Sequence, residues 1–120
     1  SGFVTCCCVH MQADGRATVA NAGHPAPYWN GEEMTLEAGL PLGVAVDAEY
    51  HETEIVLRAG DQVTVLSDGV VEAENAQREL FGFDRTREIS TKSAREIAEA
   101  AKAWGQNDDI TVVTVRRIVG

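Results

Sequence analysis

Residues 62–73 read Gln62-Val63-Thr64-Val65-Leu66-Ser67-Asp68-Gly69-Val70-Val71-Glu72-Ala73. The apolar, β-branched run from Gln62 to Ser67 predicts a buried strand. Asp68-Gly69 ends it, and Val70 to Ala76 continues with helical spacing. A carboxylate therefore stands at the end of a strand, beside a glycine that lets a ligand or another backbone come close. Whatever partners this strand decides where that carboxylate points.

Upstream, the pattern is that of short strands joined by turns. Phe3 to Met11 is apolar and strand-like, and Ala13-Asp14-Gly15-Arg16 is a hairpin signal leading into a return arm from Ala17 to Ala22. Ala26 to Trp29 reads as a short strand, turned by Asn30-Gly31 into Glu33 to Glu37. A loop carrying Gly39, Pro41 and Gly43 follows. His51 to Leu57 alternates, with Thr53, Ile55 and Leu57 on one face and Glu52, Glu54 and Val56 on the other. Ala59-Gly60-Asp61 then turns tightly into the central strand.

Downstream, the period changes. Leu80 to Ile89 is compatible with a helix, and Ser93 to Trp104 is the clearest one. Ser93 and Glu96 match a capping box, Ala94, Ile97, Ala98, Ala101 and Trp104 form one stripe, and Gly105 stops it. Ile110 to Val119 is apolar on both faces over most of its length, as a strand inside a layered sheet would be. Strands, then helices, then one strand make an α+β class. The 120 residues fit one domain, and residues 1–120 are read as a single unit.

Charge narrows the function. Nineteen acids against ten bases give a net charge of −9, with an isoelectric point near 4.6. Nucleic-acid backbones and anionic membrane surfaces both demand basic residues, so neither is an expected partner. No apolar run approaches the length of a membrane span. The expected partners are cations or cation-bound substrates.

The acids that matter stand at strand ends. Asp68 closes one apolar strand, and Asp108-Asp109 precede another. If those strands are antiparallel neighbours, Asp68 comes within reach of Asp108. Clustered carboxylates repel one another unless a hard cation lies between them, and Mg²⁺ or Mn²⁺ prefers such oxygen ligands. The plainer alternative is that Asp68-Gly69 is an ordinary turn and Asp108 or Asp109 caps a strand. Glu72 and Glu74 near a helix start are accounted for by the helix dipole. His10 and His51 have no partner at ligand spacing, and Trp29 and Trp104 fit apolar stripes. Cys6-Cys7-Cys8 forms no disulfide framework or zinc spacing and reads as small residues packed in a buried strand, consistent with a reducing cytoplasm.

Five segments in series carry a resemblance: Asn21-Ala22-Gly23-His24-Pro25, Pro41-Leu42-Gly43, Ala59-Gly60-Asp61, Ser67-Asp68-Gly69-Val70-Val71-Glu72-Ala73 and Asp108-Asp109-Ile110-Thr111. Together they resemble the C-terminal part of a metal-dependent serine/threonine protein phosphatase (PPM), in its SpoIIE/RsbU-like bacterial branch. The resemblance implies an α-β-β-α sandwich, of which this chain is the C-terminal portion. It also implies two Mn²⁺ or Mg²⁺ ions, which activate a bridging water for in-line attack on phosphoserine or phosphothreonine without a phosphoenzyme. By position, Asp68 and Asp108 match metal ligands, Asp109 matches with a weaker claim, and Gly69 supplies neighbouring backbone. His24 is a candidate acid near the site. The implied substrate is a phosphorylated signalling protein of the anti-sigma-factor-antagonist type, in a partner-switching pathway.

Two departures accompany the resemblance. Many family members outside this branch carry Asp at the position of His24, so a third metal held that way is not implied. The family's upstream Gly-Asp motif, which supplies the bridging ligand, does not occur here. The 120 residues alone are therefore expected to bind Mn²⁺ weakly, to turn over little phosphopeptide and to self-associate as a homo-oligomer through uncovered strand edges. The rival reading is a non-catalytic pseudophosphatase that binds a partner.

Overall fold

The computed structural model describes residues 2–37 and 39–118. The Asp14-Gly15 signal does form a hairpin turn: Gly15, at φ +95°, lets the chain reverse between β1 (Cys6–Met11) and β2 (Arg16–Ala22). The two strands pair antiparallel, with Val9 opposite Val19, and β2 then pairs with β5 (Glu52–Val56). This three-stranded sheet runs in the order β1-β2-β5. A second sheet has the order β4-β3-β6-β7, formed by β3 (Tyr28–Trp29), β4 (Glu32–Glu33), β6 (Gln62–Leu66) and β7 (Val112–Arg116). All pairings between these strands are antiparallel.

The period of two along β6 separates the two cores. Val63 joins Ala17, Val19, Met34, Ile55 and Leu57 between the sheets, with Val65 packed against them. Leu66, on the opposite face, joins Tyr28 and the helices: α1 (Asp68–Val71), α2 (Gly82–Ile89) and α3 (Ala94–Gly105). Ile97 and Ala101 of α3 are fully buried there. On this same face, Thr64 donates its hydroxyl to the Ser90 carbonyl (2.7 Å), and the Gln62 amide donates to the carbonyls of Ser90 and Lys92. These bonds fix the α2–α3 corner on the sheet, and being buried they cost stability if left unmade. The layers are thus sheet, sheet, helix. Among the described residues the helices cover only the four-stranded sheet, so three of the four expected sandwich layers are formed.

The α3 cap is as the sequence predicts. The Ser93 hydroxyl accepts from the Glu96 amide, and the Glu96 carboxylate reaches back to Ser93. Phe81 meets Trp104 edge-on, with ring centroids 5.9 Å apart, and Arg85 lies 4.3 Å over the Trp104 ring. No helix among the described residues is long and apolar enough to cross a membrane.

Several boundaries differ from expectation. Regular pairing starts at Cys6, with Val4 making only a bridge to Leu42. The strands expected at 26–29 and 33–37 shrink to two residues each, because Pro25 and Pro27 lack the N–H a ladder needs and the chain leaves the sheet after Glu33. The helix expected from Val70 to Ala76 is a single turn that includes Asp68, and it ends where the Glu74 amide turns to the Gly105 carbonyl. The last strand is Val112–Arg116 and lies at the sheet edge rather than inside it, with Val113 53% exposed. Val119, the expected end of that strand, lies outside the described residues. The cysteine run is not uniformly buried: Cys7 packs toward the inter-sheet core, Cys6 is half-buried and Cys8 is exposed.

Candidate metal centre

β6 and β7 are antiparallel neighbours, with Leu66 opposite Val112. This is the arrangement on which the Asp68–Asp108 reading depended. Beyond the last ladder pair the two chains stay joined. Ser67 donates its amide to the Thr111 carbonyl (2.9 Å), and Thr111 donates its amide to the Ser67 hydroxyl oxygen (3.0 Å). The Ser67 hydroxyl itself points to the Asp109 carbonyl at 3.4 Å. Two residues beyond Ser67, the chain segments approach so closely that a Cβ on Gly69 would collide with the Asp109 carbonyl oxygen. Gly69 is therefore needed for close approach, not for an unusual backbone angle.

The result is a cavity of about 260 Å³ lined by Asp68, Gly69, Asp108, Asp109 and His24, with Thr5, Pro25, Ser67 and Thr111 completing it. The three carboxylates predicted from the sequence share one opening, and all three residues are exposed. The Asp109 amide donates to the Asp108 carboxylate at 2.7 Å, which shapes that loop locally. Among the described residues, no lysine or arginine lines the cavity. Three acids without a counter-charge form a hard oxygen donor set that suits Mg²⁺ or Mn²⁺ and disfavours a bare anion. The set is partial: among the described residues, no group of three or more His, Cys, Asp or Glu is arranged to hold a metal ion.

His24 is held firmly at the rim. Asn21 donates its side-chain amide to the His24 carbonyl (2.7 Å) and accepts from the His24 amide (2.8 Å). The His24 Nδ1 lies 3.0 Å from the Pro25 carbonyl, which can only accept, so Nδ1 carries a proton and the neutral ring keeps its lone pair on Nε2. On the other side of His24 lies a second cavity of about 420 Å³, bordered by Asn21, Ala26, Glu33 and Met34. His10 is exposed, and His51 is exposed and pairs with Glu37 at 3.2 Å, so neither joins the acidic cavity. Sequence reasoning missed Thr5, which carries no local signal. Ser67 and Thr111 stand within the motifs, but their bond to each other depends on the β6–β7 pairing, which no local signal carries.

A family model described as Stage II sporulation protein E (SpoIIE) matches residues 1–118. The chain belongs to the SpoIIE family. Phosphoserine phosphatase RsbU of Bacillus subtilis (strain 168) is 31% identical over 117 residues, covering 85% of this chain and 35% of that protein. Among solved structures, a Mycobacterium tuberculosis chain carrying RsbU and RsbW domains superimposes with a TM-score of 0.69, at 22% identity, over 96% of this chain and 36% of that one. The phosphatase domain of the Bacillus subtilis cell fate determinant SpoIIE gives 0.64 at 24% identity, over 97% and 56% respectively. The fold is that of the SpoIIE-type phosphatase domain, represented in part. The chain spans about a third of the curated relative it matches.

Proposed function

We propose that this SpoIIE-family chain is the C-terminal portion of a Mn²⁺- or Mg²⁺-dependent phosphatase domain, acting on phosphoserine or phosphothreonine of a signalling protein in the cytoplasm. The observation that carries the reading is the acidic cavity itself. Asp68 and Asp108, from two chain segments joined by the Ser67–Thr111 pair, face one opening that, among the described residues, no lysine or arginine lines. The substrate class follows from the relative named a phosphoserine phosphatase, and the anti-sigma-factor-antagonist type from the family resemblance.

Asp68 and Asp108 would hold the cation, Asp109 would support it more weakly, and Gly69 lets the Asp109 backbone come close beside Asp68. A divalent cation in this place supplies charge neutralisation for the phosphoryl oxygens and lowers the pKa of a water. His24, clamped by Asn21, offers its Nε2 lone pair toward proton handling at the rim. The cavity beyond His24 would accommodate the polypeptide that flanks the phosphorylated residue. The alternative of a non-catalytic partner-binding module is favoured by one observation: among the described residues the acids do not amount to a three-ligand cluster.

Phosphopeptide hydrolysis with Mn²⁺, measured on the full-length parent, separates the two. Asp68→Asn and Asp108→Asn should each abolish turnover with circular dichroism unchanged, because an amide is a poor substitute for a carboxylate toward a hard cation. Asp109→Asn should lose less. Near-normal turnover in the Asp68 variant overturns the assignment, and a parent inactive with every divalent cation supports the binding module.

A further inference from the structure

The acidic cavity draws its walls from both sheets, and the two walls differ in chemistry. Asp68, Asp108 and Asp109 stand at the ends of β6 and β7, in the four-stranded sheet. The other wall comes from the three-stranded sheet, with Thr5 just before β1 and His24 just after β2. Among the described residues that wall carries no carboxylate.

Thr5 is placed there by the register of β1. Backbone bonds between Val4 and Leu42, at 2.9 and 2.7 Å, hold the chain on one side of it, and the pairing of Cys6 with Ala22 holds the other. The two-residue period puts Thr5 in one row with Cys7 and Val9, which pack against the inter-sheet core. That row changes from apolar side chains to a hydroxyl where the core ends and the cavity begins.

A phosphoryl group bound here needs donors. The carboxylates only accept, and the neutral His24 ring directs its one N–H to the Pro25 carbonyl. The Ser67 hydroxyl is engaged between the Thr111 amide and the Asp109 carbonyl. Thr111 follows the acid loop and stands on the acids' side. Among the described residues, Thr5 is the hydroxyl left on the side away from them. A phosphoryl group whose other oxygens turn toward the acids, where the cation would be held, keeps one oxygen for this side.

We propose that Thr5 contacts the substrate, its hydroxyl donating to a non-bridging phosphoryl oxygen, an inference that rests on the phosphatase reading above. Such a bond is charge-assisted and stronger than one between neutral partners. Charge stays on the non-bridging oxygens in the bound substrate, in the transition state and in the released phosphate. The hydroxyl therefore acts on binding throughout, and its loss shows chiefly in KM rather than in kcat.

Thr5→Val, which keeps the β-branched shape and removes the hydroxyl, tests this in the full-length parent with Mn²⁺ and a phosphoserine peptide. kcat/KM should fall about tenfold or more, the scale of one hydrogen bond to a charged group. Competitive inhibition by inorganic phosphate should weaken by the same factor, and Thr5→Ser should stay within threefold of wild type. Mn²⁺ affinity, measured by calorimetry without substrate, should stay within twofold in both variants, because the hydroxyl meets phosphate and not the cation. Normal kcat/KM in Thr5→Val overturns the proposal and leaves the phosphatase reading standing. So does a Thr5→Ser variant as impaired as Thr5→Val, or a tenfold loss of Mn²⁺ affinity, which marks a structural or cation-binding role. A parent with no turnover overturns the phosphatase reading and this inference together.

Discussion

Ser67 and Thr111 hold each other across the end of the β6–β7 ladder, the amide of each donating to an oxygen of the other at 2.9 and 3.0 Å. One of these bonds is backbone to backbone, and the other depends on the Ser67 hydroxyl. The pair sets the position of Asp68, one residue on, against Asp109, two residues back. It is the mechanical link between two acids 41 residues apart.

Ser67→Ala removes the acceptor for the Thr111 amide while leaving the ladder intact. A single hydrogen bond of this kind contributes about 1 kcal/mol. Urea unfolding should show a loss of that size. The Mn²⁺ affinity of the parent should fall more than its stability does, because the loop carrying Asp108 and Asp109 is no longer tethered by the side chain.

Gly69→Ala should be worse than a usual helix substitution, where alanine is the better residue. Its methyl would collide with the Asp109 carbonyl oxygen, and a backbone atom cannot swing away. Overpacking of this kind costs about 1–3 kcal/mol. Thermal unfolding of the variant beside wild type checks it, and a rise in melting temperature would contradict the close approach.

The Glu96 carboxyl is held below its usual range, first by the Ser93 hydroxyl and then by the Ser93 amide. A carboxylate depressed by folding stabilises the protein above its unfolded pKa of about 4.3, and that contribution is lost as pH falls through the folded value. Wild type and Glu96→Gln should therefore differ in melting temperature at neutral pH and converge in acid. Ser93→Ala should cost about 1 kcal/mol through loss of the cap.

Arg85 joins α2 to α3 by lying over Trp104, while its donation to the Phe81 carbonyl at 3.0 Å ties it to the start of its own helix. Arg85→Ala should redshift Trp104 fluorescence as water reaches the ring. The stability loss should be about 1 kcal/mol from the ring contact alone. Lysine at this position should restore only part, since it lacks the planar face that stacks.

The features that the amino-acid sequence determined by itself are those whose physics is complete within a few residues. Asp14-Gly15 had to turn, because the chain reverses through a left-handed backbone angle that glycine adopts freely. Ser93 and Glu96 had to cap a helix, since the donors and acceptors involved lie within one turn. The break at Asp68-Gly69 was equally local, and so was the placing of Asp108 and Asp109 just before an apolar segment. Which strands became neighbours was not local. The pairing of β6 with β7 joins segments nearly 50 residues apart and depends on which apolar faces could be buried together, so the meeting of Asp68 with Asp108 stayed conditional until the sheet was seen. The same holds for β7 as an edge strand among the described residues, and for the two cysteines on an outer face, where the apolar run predicts burial. A sequence states the period of a strand, but only the packed sheets decide which of its two faces is inside, because burial belongs to both partners.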